Sequence, residues 1–83
     1  MKKMKYRLTP IIRQIMSVLN KHGFFIVKME GDHIKVNKNP SLKRPIILVN
    51  VKELSNRVRK NLLDEAEEAG VSREEFRGIF KDL

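Results

Sequence analysis

The chain lacks cysteine and tryptophan altogether among its 83 residues. Without cysteine, a disulfide framework, a thiolate nucleophile and a cysteine-bearing metal site are all excluded. Long apolar runs are missing too: Phe24 to Val27 and Ile46 to Val49 fall far short of the ~18 residues that a membrane span needs. The basic start Met1-Lys2-Lys3-Met4-Lys5 is followed by no apolar signal core, so the expected compartment is the cytoplasm and no membrane partner is expected. The four glycines, at 23, 31, 70 and 78, are scattered, so no glycine-rich phosphate cradle or nucleophile elbow is present. Among metal-ligand types, His33 with Asp32 and Glu30 is too small and too local a set, and neither a metal nor a small-molecule cofactor is expected.

Acidic residues are scarce over most of the length. Residues 1–60 carry fifteen Lys/Arg against Glu30, Asp32 and Glu53, whereas residues 61–83 carry three against seven. A basic body with an acidic end, at a formal net charge of +8, fits a polyanionic partner on one face. The length implies one small domain over 1–83, with 1–8 as a flexible or strand-like basic arm.

Local signals divide the rest. Thr9-Pro10 is a helix start, in which Thr9 caps free amides and Pro10 loses no hydrogen bond at the first helical position. Ile11, Ile12, Ile15, Met16 and Leu19 recur at helical spacing, and Gly23 ends the helix, predicted over 10–22. Phe24 to Glu30 reads as a strand, Gly31-Asp32 as a turn, and a second strand opens near His33 with Ile34 and Val36 inward. Pro45 to Val51 reads as a third strand, apolar enough to be the central or best-covered one. A second helix is predicted over 54–69, capped by Asn50 or Ser55, with Leu54, Val58, Leu62, Ala66 and Ala69 along one face. Ser72-Arg73-Glu74-Glu75 fits a capping box, opening a short third helix over about 73–81 that carries Phe76, Ile79 and Phe80 inward. The expected class is α+β: a three-stranded antiparallel sheet in α-β-β-β-α order, with both long helices on one face and a short C-terminal helix.

Of two histidines, His22 sits in the last turn of the first helix, where it complements the helix dipole. His33, beside a tight turn, is placed for chemistry. Imidazole is the side chain whose ordinary pKa, ~6.5, lets it move a proton near neutral pH. Period-two alternation puts Lys35 and Asn37 on the face of His33; alternation alone leaves the face of Lys28 open. Lys38, Lys43 and Arg44 add positive charge at the other end of the hairpin. An imidazole in a lysine field is what phosphodiester cleavage requires, because a base takes the ribose 2′-hydroxyl proton and cations hold the charge of the phosphorane. Asp32 reads as a turn residue bonding its own backbone. The acidic face of the second helix (Asp64, Glu65, Glu67, Glu68) reads as solvated, or as an attraction for a basic partner.

Three segments together carry a family resemblance: LNKHGFFIVKMEGDHIKV, RPIILVNV and VRKNLLDEAEEAGVSREEF. In that order they resemble the HicA-type toxins, small mRNA interferases of type II toxin–antitoxin systems, over roughly residues 8–80. The shared pattern is Lys21-His22-Gly23-Phe24 at a helix end, a basic strand, Gly-x-His opening the next strand, an apolar third strand, and Ala69-Gly70-Val71-Ser72 followed by Glu74-Glu75-Phe76. The resemblance implies a double-stranded-RNA-binding-like fold, metal-independent cleavage of mRNA and neutralisation by a HicB-type antitoxin. It places the catalytic histidine on His33 and the turn that positions it on Gly31 and Asp32. Lys28, Lys35, Lys38, Lys43 and Arg44 then bind the RNA backbone. Asp32 stands where the family usually has serine, and Leu48-Val49-Asn50-Val51 lacks the family's frequent Pro-x-His element. Two further readings stay open: a non-catalytic RNA- or DNA-binding module of the same fold, and an inactive toxin remnant that binds only its partner.

Overall fold

The computed structural model describes residues 7–80. The elements run α1 (Pro10–Lys21), β1 (Phe24–Glu30), β2 (His33–Lys38), β3 (Ile46–Val49) and α2 (Asn56–Glu68), closed by a 3-10 turn, Arg73–Phe76. The strands form one antiparallel sheet in the order β1-β2-β3. This is the expected α-β-β-β-α architecture, with α1 packed on β1 and α2 on β3. No helix among the described residues is long and apolar enough to cross a membrane.

One core joins all the elements. Ile12, Ile15, Met16 and Leu19 from α1 meet Phe24, Ile34, Val36, Ile46 and Leu48 from the sheet and Leu62, Leu63 and Ala66 from α2. β2 and β3 give this core alternate residues and β1 gives Phe24, Ile26 and Met29, so the other face of the sheet stays open. Helix α1 begins as its sequence predicts, with the Thr9 hydroxyl accepting from the Ile12 amide at 3.4 Å, and it stops one residue early, leaving His22 as its C-cap. Helix α2 is capped by Ser55, whose Oγ accepts from the Val58 amide at 3.2 Å.

Asn50, the other candidate cap, has a different task. Its Oδ1 accepts from the Thr9 amide at 2.9 Å and its Nδ2 donates to the Arg7 carbonyl at 2.8 Å. The Thr9 hydroxyl also donates to the Val51 carbonyl at 2.8 Å. Arg7 to Thr9 is therefore tied to the segment after β3; the rest of the expected arm, 1–6, lies outside the described residues.

Three expectations need correction. β3 is an edge strand and shorter than predicted, and β2 is the central strand. The apolar run that made β3 look covered on both faces buries only Ile46 and Leu48, while Ile47 is 46% exposed. The third helix is a single 3-10 turn, and Ser72 makes no side-chain cap bond. Glu75, the other half of the expected capping box, is held instead by His22: both carboxylate oxygens lie within 2.9 Å of the imidazole Nε2. Phe76 and Phe80 are buried as expected and stack with ring centroids 6.3 Å apart.

The β1–β2 hairpin closes through two residues. Gly31 has φ +58°, and among the described residues only glycines take a positive φ, so Asp32 completes the sign pattern of a type II′ turn, which wants glycine first. A Cβ at Gly31 would meet no atom within 4 Å. The cost of Gly31→Ala is thus conformational, about 1–2 kcal/mol. Chemical denaturation should show that loss, and an unchanged midpoint would contradict the turn assignment.

Candidate nucleic-acid interface

The open face of the sheet is built by pairing register. On β2, His33, Lys35 and Asn37 point away from the core, while Ile34 and Val36 are fully buried. Across β1, Glu30 stands opposite His33, Lys28 opposite Lys35, and Phe25 opposite Asn37. Across β3, Val49 stands opposite His33 and Ile47 opposite Lys35. The face is therefore a polar central column with a flanking column on each side.

Lys28 reaches this face through an irregularity. Strict alternation from the buried Phe24 would turn Lys28 toward the helices. The register shifts between Ile26 and Lys28, so Val27 is an extra, unpaired residue, and both Val27 and Lys28 are exposed. A bulge of this kind re-aims the side chains beyond it. It leaves Lys28 and Glu30 outward with Met29 turned back toward the core. The position of Lys28, open on alternation alone, is thus beside Lys35 and two residue pairs along the sheet from His33.

Two features of this group bear on chemistry. First, Lys28 and Lys35 are directly cross-strand, an arrangement that costs stability because like charges are opposed. Lys28 pairs with Glu30 at 3.5 Å; both side chains are largely exposed, and such a pair contributes only ~0–1 kcal/mol. Lys35 has no ion-pair partner among the described residues. An anion over this pair would relieve the repulsion and displace little. Second, the His33 side chain is exposed and makes no hydrogen bond to any described residue. Its main chain is firmly placed, because it follows the turn and is paired on both sides, and the Asn50 amide donates to the adjacent Asp32 carbonyl at 2.7 Å. Asp32 thus contributes its main chain, not the side-chain turn bond expected of it; its carboxylate has no partner among the described residues.

The remaining predicted cations lie elsewhere. Lys38 closes β2 on the helix side of the sheet, its Nζ 5.1 Å from the Phe24 ring centroid, a cation–π contact. Lys43 and Arg44 precede β3 and border a cavity of about 400 Å³ with Pro45, Ile46, Glu65 and Glu68. His33 pairs with the far end of β3, so Ile46 and Val49 alone separate the two regions by roughly 10 Å at ~3.3 Å per residue. The five predicted site cations and the imidazole therefore divide: His33, Lys28 and Lys35 come together, whereas Lys38 and the Lys43–Arg44 pair do not join them.

The acidic face of α2 is partly neutralised within the chain. The Arg73 guanidinium and the Lys60 ammonium hold the Asp64 carboxyl below its ordinary range, and Asp64 in turn raises Arg73. Arg73 also pairs with Glu67 at 3.2 Å. Among the described residues no three His, Asp or Glu side chains gather closely enough to hold a metal ion. Sequence reasoning missed Asn50 as the tie between the amino-terminal segment and the hairpin turn. Its signal is a lone amide ending an apolar strand. A scan against protein-family models and searches of curated proteins and of solved structures find no match to this chain.

Proposed function

We propose that this protein is a HicA-like endoribonuclease that cuts mRNA on the open face of its sheet, with His33 as the proton-transfer group. The observation that carries this reading is an exposed imidazole two residue pairs along the sheet, on the same face, from two opposed lysines. His33 would take the proton from a ribose 2′-hydroxyl, whose oxygen then bonds to the adjacent phosphorus. Lys28 and Lys35 would hold the charge of the phosphorane. The bond from phosphorus to the 5′-oxygen breaks, and the leaving oxygen receives its proton from the imidazolium or from water. The products are a 2′,3′-cyclic phosphate and a 5′-hydroxyl. This chemistry calls on no metal ion. Within the same reading the protein acts in the cytoplasm and is neutralised by a HicB-like antitoxin.

One observation favours a second reading, a non-catalytic RNA-binding module. No described side chain orients His33 by a hydrogen bond, whereas acid–base residues are commonly held by a partner group. One experiment separates the two. End-labelled RNA is incubated with the purified protein in excess EDTA. The nuclease reading expects fragments ending in cyclic phosphate; RNA that is retarded in a gel but stays intact would establish the binding module instead.

A further inference from the structure

The open face carries more than charge. Among the described residues, Phe25, Val27 and Ile47 are the exposed large hydrophobic residues, at 44%, 50% and 46%, and all three lie on this one face. Phe25 and Val27 form a shoulder along β1, and Ile47 with the half-buried Val49 forms a second along β3. Between the shoulders runs the polar column His33, Lys35, Asn37. Apolar side chains gathered on one face, rather than scattered singly, mark an interaction surface.

We infer that this face binds single-stranded RNA, with the RNA backbone along the β2 column and a base stacked on Phe25. The inference rests on the reading of RNA as the substrate and adds a recognition subsite to it. Charge and shape choose the occupant. The face offers cations for phosphates at Lys35 on the column and at Lys28 opposite it on β1, with the Glu30 carboxylate beside Lys28. The shoulders offer flat or branched apolar surface for bases. A chain with a charged backbone and unpaired aromatic bases complements both at once, and stacking of this kind tolerates any base. A duplex complements only the charge, because its bases are already stacked and paired inside and give Phe25 nothing to stack on. The spacing also fits a strand that follows the sheet: Phe25 is level with Asn37, four residues along β2 from His33, or about 13 Å at ~3.3 Å per residue. The stacked base therefore lies away from the cleaved bond, so Phe25 holds the strand in register and takes no part in proton transfer.

The test uses the full chain carrying His33→Ala, so that RNA stays intact, and reads fluorescence anisotropy with labelled oligouridine and with a labelled RNA hairpin whose loop is a non-nucleotide linker, so that every base is paired. The single strand should bind more tightly than the hairpin. Adding Phe25→Ala should weaken the single-strand complex by about tenfold, leave hairpin binding unchanged and leave the melting temperature unaltered. Phe25→Leu keeps apolar bulk on the strand and should lose the same affinity, while Phe25→Tyr should retain it. Equal single-strand affinity with and without the ring, or a hairpin bound as tightly as the single strand, would overturn the inference. The wild-type chain, assayed in parallel for cleavage, separates the two claims. RNA that is cut while Phe25→Ala binds normally removes the stacking subsite alone. RNA bound through Phe25 but never cut upholds the subsite and removes the nuclease. Binding of neither RNA overturns both.

Discussion

Replacing Phe76 by alanine is expected to unfold much of the population at moderate temperature. The ring is fully buried, and truncating a buried phenylalanine costs about 3–5 kcal/mol through lost transfer energy and the cavity left behind. A chain of this size typically holds only ~4–12 kcal/mol in total. The consequence is concentrated in the C-terminal segment. The turn Arg73–Phe76 has four residues and no side-chain cap, so propensity and capping do not keep it helical. It stays in place because it packs against α1 and α2, with Phe76 as the anchor and the His22–Glu75 contact at its edge. The expected result is a melting temperature lower by on the order of 20 °C. A shift of a few degrees would mean that the cavity collapses and that the segment is anchored by other groups.

The second large effect is chemical. His33→Ala should slow RNA cleavage by about 10²- to 10⁴-fold, the usual contribution of a positioned acid–base group, and should abolish growth arrest on expression. Its stability should stay within about 0.5 kcal/mol of wild type, because the side chain is exposed and loses no hydrogen bond to a described residue. The split between the two readouts is the informative point. A variant that melts like wild type and no longer cuts assigns the imidazole to the reaction. A variant that remains as toxic as wild type removes His33 from it.

Signals that act within one turn or one strand made most of the fold legible. Thr9-Pro10 and Gly23 bound α1 because a cap and a positive-φ glycine are local requirements, and Gly31-Asp32 sets the hairpin because its turn type demands glycine first. Features that depend on a distant partner were not legible. Ser72 and Glu75 satisfy the capping-box pattern, yet Glu75 bonds His22, 53 residues away. The apolar content of β3 suggested a central strand, since composition does not tell a strand covered on both faces from an edge strand with exposed isoleucine. Within the candidate site, the outward aim of His33 and Lys35 follows from alternation. The aim of Lys28 does not, because it depends on the bulge at Val27, and a bulge is a property of the pairing of two strands. Charge alone groups Lys43 and Arg44 with His33; the extent of β3 separates them.

Chemical rescue addresses the role of His33 most directly. Because the side chain is exposed, its removal leaves a site that free imidazole can enter from solvent. Purified His33→Ala should be almost inert toward labelled RNA in EDTA, and its cleavage rate should climb in proportion to added imidazole, yielding the same cyclic-phosphate ends as wild type. A rate that ignores imidazole, or a variant that cuts at the wild-type rate without it, would contradict the assignment of proton transfer to this side chain.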